Sequence, residues 1–122
     1  MLLSSLLSKR LILNRAQARY FTTEKKQFLA VLKDYKDPQC LERRMGIRDK
    51  HFSEIRIAKK NGGIITCGAL LDNHESSKME GSFVLYNADS IDEVEQLIKN
   101  DHYYKTKVWE KWEIYPVKCA SI

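Results

Sequence analysis

Several features that would point to covalent, metal or nucleic-acid chemistry are missing from this chain. Its three cysteines, Cys40, Cys67 and Cys119, are odd in number and form no C-x-x-C pair, which fits a reducing compartment rather than a disulfide framework. No cysteine or histidine spacing suits zinc, and His74 and His102, in a polar loop and a turn, are assigned no role. Cys67 lies in an apolar strand pattern and reads as a small buried hydrophobe. No apolar stretch is long enough to span a bilayer, and Lys9 and Arg10 interrupt the first one. No internal repeat or low-complexity segment is present.

Acidic residues are absent from residues 1–23, which carry Lys9, Arg10, Arg15 and Arg19. From Glu24 onward 17 basic residues oppose 16 acidic ones, so most of the formal charge of +5 belongs to this first segment. The remainder has no basic cluster interleaved with aromatics, and nucleic acid is not an expected partner. The segment is rich in Leu, Ser and Arg, a mitochondrial transit-peptide pattern. A secretory signal is the rival, but here the basic residues follow the leucines and no Ala-x-Ala site appears. Arg19-Tyr20-Phe21-Thr22 resembles a matrix-peptidase site, so removal near Tyr20 to Thr22 and a matrix location are expected. An unremoved tail is the structural alternative. Residues 24–122 then form one domain.

Gln27 to Tyr35 reads as a mostly buried strand, and Asp37-Pro38 as the cap and first turn of a helix that continues to Lys60 and ends at Asn61-Gly62-Gly63. Ile64 to Leu71 is a second strand, Asp72 to Gly81 a polar loop, and Ser82 to Tyr86 a third strand. Asp89-Ser90 caps a helix over Ile91 to Asn100, with Ile91, Val94, Leu97 and Ile98 on one face. Asp101 to Tyr104 turns into a last strand, Lys107 to Val117, with Pro116 at a sheet edge. The order β-α-β-β-α-β predicts an α+β, ferredoxin-like sandwich with two helices on one face of a four-stranded antiparallel sheet. Apolar residues at successive strand positions imply that the open face is also covered, and a homodimer through that face would cover it.

The first helix carries an anomaly. Leu41, Met45, Phe52, Ile55 and Ala58 have the spacing of an apolar face, yet Arg44, Arg48 and His51 recur along its edge. Charged groups beside a core need water, a partner or a ligand, and Asp101 is the candidate acid.

Arg48-x-x-His51, Gly68-Ala69-Leu70-Leu71-Asp72, Gly81-Ser82, Asp101-x-Tyr103 and Trp109-Glu-Lys-Trp112-Glu-Ile occur in that order. Together they resemble the YciI-like family over about residues 26–118. The resemblance implies a ferredoxin-like subunit that pairs sheet to sheet into a dimeric α/β barrel, as in relatives of muconolactone isomerase. It also implies a functional pair formed by the histidine of R-x-x-H and the aspartate of D-P-[YF], here His51 and Asp101. The family proline is replaced by His102, a change expected to free the turn that aims Asp101.

A carboxylate on one imidazole nitrogen fixes the tautomer and leaves the other nitrogen as a base. His51 and Asp101 are therefore the catalytic candidates for proton transfer beside a carbonyl, in an isomerisation or elimination. Arg48 can hold a substrate carboxylate, and Ser82 can donate to a developing oxyanion. The expected substrate is a small anionic carbonyl metabolite, with no metal or other cofactor. Haem on His51 is a weaker idea, since nothing singles out a porphyrin pocket. Each candidate also has a structural alternative: His51 as a bonded core histidine, Asp101 as a turn residue, Arg48 as a surface arginine or partner of Asp49 or Glu54, and Ser82 as a strand residue. Tyr103, Trp109 and Trp112 are expected chiefly to pack, although aromatics beside Asp101 can line an apolar pocket. The alternative for the whole chain is a non-catalytic dimeric module that binds a ligand or protein.

Overall fold

The structure, a computed structural model, describes residues 25–122. The presequence expected over residues 1–23 lies outside the described residues. Four strands, β1 (Lys26–Asp34), β2 (Ile64–Leu71), β3 (Met79–Ala88) and β4 (Trp109–Val117), form one sheet in the order β2-β3-β1-β4. All neighbours are antiparallel. α1 (Cys40–Lys60) connects β1 to β2, while α2 (Ile91–Lys99) and the single turn α3 (His102–Lys105) connect β3 to β4. This is the α+β, ferredoxin-like subunit expected from the order of elements.

Period-two alternation places the core. Phe28, Ala30 and Leu32 on β1 and Val84, Tyr86 and Ala88 on β3 are buried together with Ile55 of α1 and Val94 and Ile98 of α2. The intervening residues point to the other face, where Leu29 pairs with Leu85 and Val31 with Phe83 across β1 and β3. These four are only half-buried in the single chain. Pro116 lies on β4, an edge strand, where a missing ladder donor does no harm.

α1 ends as its sequence predicts. Gly62 has φ +83°, and the amides of Gly62 and Gly63 donate to the carbonyls of Lys59 and Ala58, the paired closure that favours glycine after the cap. Its start differs from expectation. Asp37 is not the cap; α1 begins at Cys40 after Gln39, and Asp37 instead accepts from the Gln39 amide and pairs with Arg43. That pair holds the Asp37 carboxyl below its usual range.

The buried stripe of α1 is also rotated from the expected one. Leu41 and Met45 are 47% and 52% exposed, and the buried positions are Cys40, Arg44, His51 and Ile55. Two polar side chains therefore sit at the centre of the helix–sheet contact, not at its edge. In α2, Val94 and Ile98 are buried as expected, whereas Ile91 and Leu97 stay largely exposed. Ser90 caps α2 by accepting from the Glu93 amide.

Candidate active site

The Arg44 guanidinium engages Nε and Nη2 within the protein. Nε and Nη2 reach the two carboxylate oxygens of Asp34 at 2.9 and 3.2 Å. Nη2 also donates to the Gly81 carbonyl at 2.8 Å and to Ser82 Oγ at 2.6 Å. A buried charge survives when it is paired and hydrogen-bonded, and Asp34 supplies the counter-charge. β3 approaches β1 closely at Gly81: a Cβ there would collide with the Leu32 carbonyl oxygen.

One helical stretch further, His51 Nδ1 lies 2.8 Å from Asp101 Oδ1. The same oxygen accepts the Tyr103 amide at 2.8 Å and so caps α3. A carboxylate oxygen only accepts, so Nδ1–H is the donor in this contact. Nε2 has no hydrogen-bond partner among the described residues. Three aromatics fix the ring: Tyr103 stacks on it at 3.7 Å between centroids, and Phe52 and Trp109 meet it edge-on at 5.1 and 6.0 Å. Tyr103 in turn lies against the Arg44 guanidinium, 4.7 Å from its centroid. Burial pushes the Tyr103 phenol up, so it stays protonated near neutrality.

These groups surround a cavity of about 190 Å³, to which Arg44, Arg48, His51, Ser82, Tyr103 and Trp109 contribute. The remaining wall is mainly apolar and includes Phe52, Phe83, Val84 and Met79. Cys67 also lines it, but burial pushes its thiol up, away from the reactive thiolate. Arg48 is exposed at the rim, with its guanidinium 4.6 Å from the centroid of the Phe52 ring. It forms no ion pair among the described residues. Glu54, weighed as its partner, instead meets His102 Nε2 at 3.1 Å.

Thus all four residues singled out from the sequence, His51, Asp101, Arg48 and Ser82, gather at one place: three line the cavity and Asp101 stands behind His51. His102, in place of the family proline, occupies the first position of the capped α3 and contacts Glu54 of α1. Sequence reasoning missed Asp34, the bonding role of Arg44, and the bond from Trp109 Nε1 to Ser82 Oγ at 3.0 Å. A signal for Asp34 existed, since it continues the buried alternation Phe28, Ala30, Leu32 on β1.

Fold and site together define a small α+β subunit with a carboxylate-oriented histidine in an aromatic cavity beneath the sheet-covering helices. The YCII-related domain model matches residues 28–118, and the chain belongs to that family. A solved structure of 5-chloro-2-hydroxyhydroquinone dehydrochlorinase from Burkholderia phenoliruptrix AC1100, in complex with 2,5-dihydroxybenzoquinone, is similar to it. The two share 26% identity with a TM-score of 0.64, over 77% of this chain and 95% of that one. No curated protein sequence matches the chain. Among the described residues, no helix is long and apolar enough to cross a membrane.

Proposed function

We propose that the chain is a small acid–base enzyme that moves a proton on a single-ring, anionic carbonyl or quinol compound, in an isomerisation or elimination. His51 is the base, Asp101 orients it, Arg48 attracts the anionic group, and Ser82 donates to the oxygen on which charge develops. The observation that carries this reading is the 2.8 Å contact of His51 Nδ1 with Asp101, which leaves Nε2 as the free nitrogen of a residue lining the cavity. A neutral imidazole held in one tautomer by a carboxylate is a competent proton acceptor near neutral pH.

The size of the cavity supports the substrate class. An apolar cavity of about 150 Å³ accommodates benzene, so about 190 Å³ suits one substituted ring. The similar dehydrochlorinase, named for a chlorinated ring triol and bound to a dihydroxyquinone, supports the same choice. Loss of hydrogen chloride from such a ring is an elimination in which a base takes a proton and chloride departs.

The experiment is direct. The chain is incubated with 5-chloro-2-hydroxyhydroquinone while chloride release is followed, and with chlorine-free dihydroxyquinones in D₂O while exchange of ring protons is followed. Wild type is expected to accelerate at least one reaction, and His51→Asn to abolish it. Binding without either reaction would favour a non-catalytic module.

The half-buried pairs Leu29–Leu85 and Val31–Phe83 support a homodimer formed face to face through the open side of the sheet. The acid-free, arginine-bearing residues 1–23 support import into the mitochondrial matrix. A fluorescent fusion with and without residues 1–23 tests the latter.

A further inference from the structure

Ser82 has a hydroxyl whose hydrogen-bond directions are nearly all assigned. Its Oγ accepts from Arg44 Nη2 at 2.6 Å and from Trp109 Nε1 at 3.0 Å. A guanidinium and an indole N–H have no lone pair to offer in return, so neither can exchange roles with the hydroxyl. Both acceptor directions of Oγ are filled, and what remains is the O–H itself. No acceptor among the described residues takes that proton. Ser82 is only 5% exposed and lines the cavity, so its unmatched donor is offered to whatever enters there. A buried donor left without a partner is costly, and a ligand acceptor relieves that cost.

Arg44 cannot turn away to relax this arrangement. Asp34 grips it through Nε and Nη2, and the Gly81 carbonyl takes another bond from Nη2. Its positive charge, in direct contact with Oγ, also favours an anionic acceptor on the far side of the hydroxyl.

We infer that Arg44 is a positioning residue that makes Ser82 an obligate donor, so that the cavity selects a ring bearing a phenolate or enolate oxygen over the same ring bearing an amine. An aromatic amine delocalises its lone pair into the ring and presents N–H donors, which would confront the Ser82 O–H with another donor. A site built to bond one polar group rejects the analogue that lacks it, because its own buried group is then unpaired. The inference rests on the proposed cavity as the binding site, although not on His51 acting as a base.

The test compares 4-nitrophenolate with 4-nitroaniline, near-isosteric rings, by calorimetry at mildly alkaline pH. Wild type is expected to prefer the phenolate. Ser82→Cys fills the position, excludes water from it and offers only a weak S–H donor. Its phenolate affinity is expected to fall about tenfold, the order of one bond to a charged group, with the aniline affinity unchanged. The double variant Arg44→Met with Asp34→Leu removes the buried pair as a unit and frees one acceptor direction on Ser82. In that variant, if it folds, nitroaniline is expected to bind more tightly than in wild type, which loss of a purely structural residue would not produce.

Equal affinities in wild type, or a phenolate-to-aniline ratio unchanged by Ser82→Cys, would overturn the inference. Absence of binding by either probe would overturn it together with the cavity reading. The expected ratios with neither chloride release nor proton exchange in D₂O would leave this inference standing and remove only the acid–base function.

Discussion

Arg44 of α1 and Asp34 at the end of β1 meet as a two-pronged ion pair, 4% and 8% exposed, directly behind Ser82. Removing one partner strands a buried charge, so Arg44→Ala is expected to cost about 3–5 kcal/mol in urea denaturation. Replacing both, as Arg44→Met with Asp34→Leu, is expected to recover most of that loss, because the desolvation of the two charges disappears with them.

Gly81 ties the sheet to the same pair. A Cβ there would strike the Leu32 carbonyl oxygen, so Gly81→Ala must push β3 away from β1 and shift the carbonyl that Arg44 uses. A loss of roughly 3 kcal/mol or more is expected from this overpacking, measured by thermal or urea unfolding. The variant is also expected to bind ring ligands more weakly if it folds.

Tyr86 is expected to weaken the fold at alkaline pH. It is 2% exposed, and burial, followed by the nearby charge of Asp101, pushes its phenol well above the ordinary value of 10.0. In the unfolded chain the phenol ionises near 10.0, so above that pH the native state binds more protons than the unfolded one. Stability from this group is complete below pH 10 and falls as pH rises beyond it, by about 1.4 kcal/mol per pH unit. Tyr86→Phe is expected to flatten the alkaline slope toward that amount above pH 10, in unfolding curves recorded from pH 9 to pH 11.

The open face of the sheet provides a test of assembly. Leu85→Lys places a charge beside Leu29, its direct partner on β1, on the face proposed to join two copies. Sedimentation velocity is expected to show a dimer for wild type and a monomer for the variant, with the far-ultraviolet circular dichroism preserved.

Local rules made much of this molecule legible. The branched run Ile64 to Leu71 is β2 to the residue, and Asn61-Gly62-Gly63 closes α1 because glycine tolerates the left-handed backbone that closure needs. The contact of His51 with Asp101 was approachable through the motif order of the family, not through spacing, since 50 residues separate them. The rotation of α1 was not legible. Hydropathy assigns arginine to solvent, and only a partner on another element, Asp34, makes burial of Arg44 affordable in free energy. Likewise, nothing local relates Trp109 to Ser82; β1 lies between their strands, and the bond exists because the fold brings the indole across. α3 escapes local rules because a single turn has no periodicity, and for the same reason nothing local marks Asp101, the catalytic candidate, as its cap as well.

The central claim is that Asp101 holds His51 with its proton on Nδ1 and its bare Nε2 toward the cavity. The most direct measurement is the ¹⁵N spectrum of the histidine ring nitrogens in the full chain near neutral pH, with His51 assigned by loss of its signals in His51→Asn. The prediction is a protonated Nδ1 and an unprotonated Nε2 in wild type, a preference lost in Asp101→Asn together with a roughly 10²- to 10⁴-fold drop in any turnover. A proton found on Nε2, or the same tautomer with and without the Asp101 carboxylate, would contradict it.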